Sequence, residues 1–293
     1  MKTMRALRKD ILRLIQTYIE RSTELQIFNE HFLPPLLGLV EDFRINDPNA
    51  RDPEVLMLFA TMFKRLGVDL SGYLEQILFN LCDSTLAMIK NDYLLYPDFR
   101  DGLFKLVESI IKHCLQGLLS LSFDKFETII MTILFACKHE KPEHMEIGLE
   151  TLHTLNSVIV QSPQIANVIY KNFYIHIIRD ILTIMTDYRH VSGFKLQGQI
   201  LQQMLQVVES GSVVSERLCV DQQPHQFGDN KQFVVSLLID CISALFQNLN
   251  KVQIEAFVLN LFNYCQDWPQ FKATLRDLLI SMKSYSASDD DFY

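Results

Sequence analysis

The residues of this chain that come nearest to a reactive constellation are His139-Glu140-Lys141-Pro142-Glu143-His144. A zinc-protease signature, H-E-x-x-H, needs its two histidines four residues apart on one helical face, with the glutamate as general base. Here the histidines are five apart, which places them about 140° around a helix. Pro142 also breaks the helix between them. The stretch is therefore read as a turn between helices and not as a metal site. Ser122-Phe123-Asp124-Lys125 matches the S-x-x-K of acyl-enzyme formers, but the companion S-D-N and K-T-G are absent. Ser122 reads instead as a helix cap, with Asp124 suited to the positive end of the helix. No G-x-S-x-G, Walker A loop or G-x-G-x-x-G occurs, so the chain is not read as an enzyme and no catalytic, cofactor or metal residue is assigned.

The remaining distinctive spacings are those of binding proteins. Arg5, Lys9 and Arg13 recur at i, i+4 and i+8, a stripe that either meets acidic protein or RNA, or is a solvated face, or pairs with a preceding helical unit. L-x-x-L-L occurs at Leu33–Leu37, Leu115–Leu119 and Leu275–Leu279. Such segments can dock into grooves, but in a leucine-rich helical chain the same spacing is a buried stripe. The six cysteines lie far apart, without metal-ligand spacing, and fit a reducing compartment. A formal charge of −8 argues against a general nucleic-acid binder and permits a basic protein partner. No leader is apparent, because Asp10 and Arg13 interrupt any apolar run. The uncharged run Thr151–Tyr170 carries His153, Asn156, Gln161, Pro163 and Asn167, too many polar groups for a bilayer span. The chain reads as soluble and intracellular.

Helical periodicity supplies the elements that carry these residues, and no segment alternates like a strand. The first helix runs from about Thr3, with Leu7, Ile11, Leu14 and Tyr18 on one face. Its partner follows Ser22-Thr23 and is kinked by Pro34-Pro35. Asp52 caps the next helix, Pro53 opens it, and Leu56, Phe59, Ala60 and Phe63 form its buried face. Further first helices start near residues 98, 142, 189 and 251, at intervals of about 44–50 residues apart from the last, close to HEAT or armadillo spacing. The last interval is lengthened by Gly211–Asn230, an aperiodic insertion read as a mobile or partner-binding loop. One helical hairpin cannot bury both apolar faces, so the expected fold is all-α, an α-solenoid of about six HEAT-type hairpins over residues 1–285. A short acidic tail, 286–293, follows.

Several segments resemble the C-terminal region of the exportin-1 family of karyopherin-β receptors. They are Lys2-Thr3-Met4-Arg5, Phe32-x-Pro34-Pro35-Leu36-Leu37, Ala50-Arg51-x-Pro53-Glu54-Val55-Leu56, Lys138-His139, Leu261-Phe262, Gln266-Asp267-x-Pro269-x-Phe271-Lys272 and Leu275-Arg276-Asp277. The likeness runs from Lys2 to about Lys283 in order. It implies the C-terminal arc of a HEAT-repeat ring that carries leucine-rich export-signal cargo through the nuclear pore with Ran-GTP. It also implies contact with nucleoporins, shuttling between nucleus and cytoplasm, no direct nucleic acid and no membrane insertion. The cargo groove and the main Ran contact belong to earlier repeats of the family, so Met1 is read as the start of a fragment. The family's acidic tail regulates cargo affinity, which makes Asp289, Asp290 and Asp291 the candidate partner-binding residues. The alternative is a HEAT-repeat interaction scaffold unrelated to nuclear transport.

Overall fold

A computed structural model of the protein describes residues 2–90, 95–211, 213–218, 227–246 and 249–289. The described residues form helices, turns and loops, with no strand among them. They fall into two compact units, residues 1–151 and 152–293.

In the first unit, α1 (Lys2–Arg21) packs on α4 (Glu54–Leu66), and α4 packs on α7 (Pro97–His113). Between α1 and α4 run α2 (Leu25–His31) and α3 (Leu33–Ile45); between α4 and α7 run α5 (Leu74–Ile77) and α6 (Ser84–Ile89). A π-helical turn, Leu78–Asp83, joins α5 to α6 and packs against α3. After α7 come α8 (Leu115–Leu119), α9 (Phe123–Cys137) and the start of α10 (Pro142–Ile159). The middle helix has apolar residues on nearly every side. Val55, Leu56, Leu58, Phe59, Met62 and Phe63 are all fully buried. The predicted face of Leu56, Phe59, Ala60 and Phe63 is thus half of what α4 hides, because it has a neighbour on both flanks.

Backbone approach is closest where α10 crosses the end of α9. A Cβ added at Gly148 would lie 2.5 Å from the backbone nitrogen of Cys137, so only glycine lets the two helices meet there. Gly102 on α7 plays the same part against Leu56, at 2.7 Å.

Two local expectations need correction. Pro34-Pro35 do not kink one long helix. The chain breaks at Phe32, and both prolines sit in the first turn of α3, where their missing N–H groups cost nothing. Asp52 does not cap α4 through its side chain. Its backbone carbonyl accepts from Val55 N at 3.1 Å, while the buried carboxylate is taken by arginines of α1. Ser122 does hold the position before α9, but through its carbonyl and without a side-chain cap bond.

The second unit contains the rest of α10, then α11 (Pro163–Thr186), α12 (Phe194–Glu209), α13 (Asn230–Leu245), α14 (Lys251–Asn263) and α15 (Trp268–Asp289). From α11 onward successive helices pack, and α12 also packs on α15. Tyr174 donates its buried hydroxyl to the Met204 carbonyl at 2.7 Å, tying α11 to α12. α14 opens on a capping box between Asn250 and Gln253.

The insertion after α12 is not a free loop over its described part. Asn167 on α11 accepts from Ser215 N and Glu216 N at 3.0 and 2.9 Å. Asn230 accepts from Leu218 N at 3.0 Å and donates to the Glu216 carbonyl at 2.9 Å. With Val214 and Leu218 buried, residues 213–218 are strapped onto the unit. Residues 219–226 lie outside the described residues. At the terminus α15 continues through Asp289, into the segment predicted as a short acidic tail.

Candidate functional site

The predicted basic stripe is the first feature that the fold positions. α1 lays its cations against the start of α4. Arg5 Nε donates to Asp52 Oδ1 at 3.2 Å, and Arg5 Nη2 donates to the Arg51 carbonyl at 3.0 Å. Arg8 Nε lies 2.7 Å from Asp52 Oδ2, a charge contact without hydrogen-bond alignment. Lys9 and Arg13 both reach Glu54 Oε1 at 3.1 Å. The stripe therefore pairs with acidic residues of the following helical unit. The signal for it was present in Asp52 and Glu54, which α1 meets once it packs on α4.

With its cations turned inward, α1 leaves its apolar stripe uncovered. Met4, Leu7, Ile11, Leu14 and Tyr18 are 42–71% exposed, while Leu12 and Ile19 hold the buried side. The exposed residues are spaced 3, 4, 3 and 4 apart, the seam along which one helix packs into another. Phe32 extends it, its ring centroid 5.5 Å from that of Tyr18. A concavity of about 460 Å³ lies between α14 and α15, lined by Gln253, Ile254, Phe257, Asn260, Asp277 and Leu278.

The segments that carried the family likeness turn out to be joints. Arg51, buried, donates Nη2–H to the Arg44 carbonyl at 2.9 Å, Nη1–H to the Ser84 carbonyl at 3.2 Å and Nε–H to the Asn46 carbonyl at 3.3 Å. It thereby satisfies carbonyls at the end of α3 and binds α3 to α6. Burial lowers its pKa, with Asp47 opposing. Gln202 and Gln206, one turn apart on α12, both donate to the Cys265 carbonyl, at 2.9 and 2.7 Å. Asp267 then caps α15 by accepting from Gln270 N at 3.2 Å, and Phe271 is buried behind it.

His139 and His144, which spacing set apart, are brought together. Because Pro142 breaks the helix, the turn folds back and places His144 Nδ1 3.4 Å from His139 Nε2. Among the described residues, no group of three or more His, Cys, Asp or Glu is placed to hold a metal ion. No disulfide joins the described cysteines. No described helix is long and apolar enough to cross a membrane. Leu33, Leu36, Leu115, Leu118 and Leu275 of the L-x-x-L-L segments are buried, as a core stripe requires. Of the three candidate aspartates, Asp289 is the last residue of α15, while Asp290 and Asp291 lie outside the described residues.

The arrangement, among the described residues, is that of an all-α protein of serially packed helical pairs. The chain belongs to the CRM1 C-terminal family, whose model matches residues 1–287. It is 31% identical over 292 residues to exportin-1 of Schizosaccharomyces pombe, covering 99% of this chain and 27% of that protein. It is 34% identical to exportin-1 of Dictyostelium discoideum over the whole chain and 28% of the relative. Against EXPORTIN 1B of Arabidopsis thaliana the identity is 30%, again over the whole chain and 27% of the relative. The chain thus spans little more than a quarter of the length of these curated relatives.

Proposed function

We propose that this chain is the C-terminal part of a nuclear export receptor, one that carries leucine-rich export-signal cargo through the nuclear pore together with Ran-GTP. It acts by binding and shape: its helical pairs help to close a ring around the GTPase, and that closed form is the one that holds cargo. Nucleoporins are its contacts in transit, and shuttling between nucleus and cytoplasm follows from that cycle. The observation that carries this reading is the co-linear match of the entire chain to relatives named exportin-1. The uncovered seam on α1 adds support, since a helix with a 3-4-3-4 apolar stripe and its cations already paired is built to receive another helix.

In this reading α1 packs against a preceding helical pair of a longer receptor, and the cargo groove is formed outside these residues. A pulldown tests it. The chain extended by the upstream repeats of the Dictyostelium relative should retain Ran loaded with a non-hydrolysable GTP analogue and release the GDP form. Equal retention of both nucleotide forms, or of neither, would reject the assignment.

A further inference from the structure

The buried His139 and His144 and the half-buried Asp101 form a cluster that the export reading does not use. Asp101 stands on α7, His139 in the turn after α9, and His144 in the first turn of α10. Both rings are buried, and the edge of Phe104 packs on each, at 6.1 and 5.3 Å between centroids.

The bonds between them run in one direction. The Lys141 backbone N–H can only donate, so His139 Nδ1 accepts it, at 3.0 Å. The proton of His139 is then on Nε2, from which it is donated to His144 Nδ1 at 3.4 Å. His144 in turn carries its proton on Nε2 and donates it to Asp101 Oδ1 at 2.5 Å. We propose that this relay is an acid-sensitive latch, which holds the 138–143 turn and the start of α10 against α7 and opens when either ring gains a proton.

Each added proton meets a donor. A proton added to His139 sits on Nδ1 and faces the Lys141 N–H. A proton added to His144 sits on its Nδ1 and faces His139 Nε2–H. Moving the His139 proton to Nδ1 only transfers the conflict to Lys141. One bond of the three is lost in each case, and burial disfavours the extra charge more than Asp101 favours it.

The electrostatics agree. Burial lowers the His139 pKa to about 4, helped by His144, Arg100 and Lys141 and opposed by Asp101. Burial also lowers His144, though the hydrogen bond and charge of Asp101 oppose it, and Lys141 and Arg100 assist. Asp98 and Glu143 act on Lys141, with Glu143 Oε2 2.9 Å from its Nζ. Both folded pKa values lie below the ordinary 6.5, so the latch is at full strength above pH 6.5. It weakens as pH falls toward 4, because the open state takes up protons that the closed state refuses.

Amide exchange of the intact chain, corrected for its intrinsic pH dependence, provides the test. Between pH 7 and pH 5 the opening of residues 138–147 should increase about tenfold, while residues 55–63 of α4 stay protected. Nitrogen-15 spectra at pH 7 should show Nε2–H on both rings. Asp101→Asn keeps the acceptor oxygen but removes the charge that favours an imidazolium in the closed state. The closed state then refuses protons more strongly, and the opening midpoint should move to higher pH. His144→Phe should open this segment at pH 7 and lose the acid response. Exchange at 138–147 that is indifferent to pH, a proton on His144 Nδ1, or an unmoved midpoint in Asp101→Asn would overturn the latch.

Discussion

Arg51 is a buried cation whose partners are the carbonyls of Arg44, Asn46 and Ser84, with the Phe43 ring 5.4 Å below its guanidinium. Lysine offers one ammonium where three directions are needed, so Arg51→Lys leaves carbonyls of two helices without donors. The expected loss is about 2–3 kcal/mol, measured as a lower denaturation midpoint with the slope unchanged. Asp52→Ala should cost less, about 1–2 kcal/mol, because Arg5 and Arg8 are partly exposed and can turn to water once released. A double substitution of Arg5 and Asp52 that proves fully additive would show that the pair is not coupled.

Among the helices, α9 and α10 are held at a distance set by Gly148. Gly148→Ala must push the α10 backbone away from Cys137, and an overpacked site of this kind costs about 1–3 kcal/mol, read as a lower melting temperature. The opposite outcome is expected on α1. Ile11→Asp with Leu14→Asp should leave the unfolding free energy of this chain unchanged to within about 0.5 kcal/mol, since both side chains meet solvent. The same pair should weaken the hold of any upstream helical pair. Much of this architecture was legible in the sequence. Pro53, Pro97, Pro142, Pro163 and Pro269 each mark a helix start within a residue, because proline acts through the local chain alone. What escaped depends on tertiary placement. Asp52 has the look of a cap in sequence, and only the packing of α1 reveals its two arginines. The π turn at Leu78–Asp83 leaves no periodic trace over six residues. The meeting of His139 and His144 follows from the path of a turn, which helical spacing cannot express.

At the scale of the whole chain, the proposed export role predicts a division of labour. These residues alone should not bind a labelled leucine-rich export peptide in fluorescence anisotropy, with or without Ran-GTP. Affinity for the GTPase alone should be weak and should fall with salt, because a chain of net charge −8 meets a basic surface through screened charge. Saturable low-micromolar peptide binding, lost when the peptide's leucines are changed, would place the cargo groove within these residues instead. The double-sided burial of α4 has a further consequence, in time. α4 is synthesised after α1 but about 45 residues before α7 is complete, and at about 5–20 residues per second that interval lasts roughly 2–9 s. During it, Leu56 lacks Gly102, against which it packs in the folded chain. A newly made chain paused between Leu66 and Pro97 would therefore present one of its greasiest helices half-dressed, the moment at which a chaperone has most to hold.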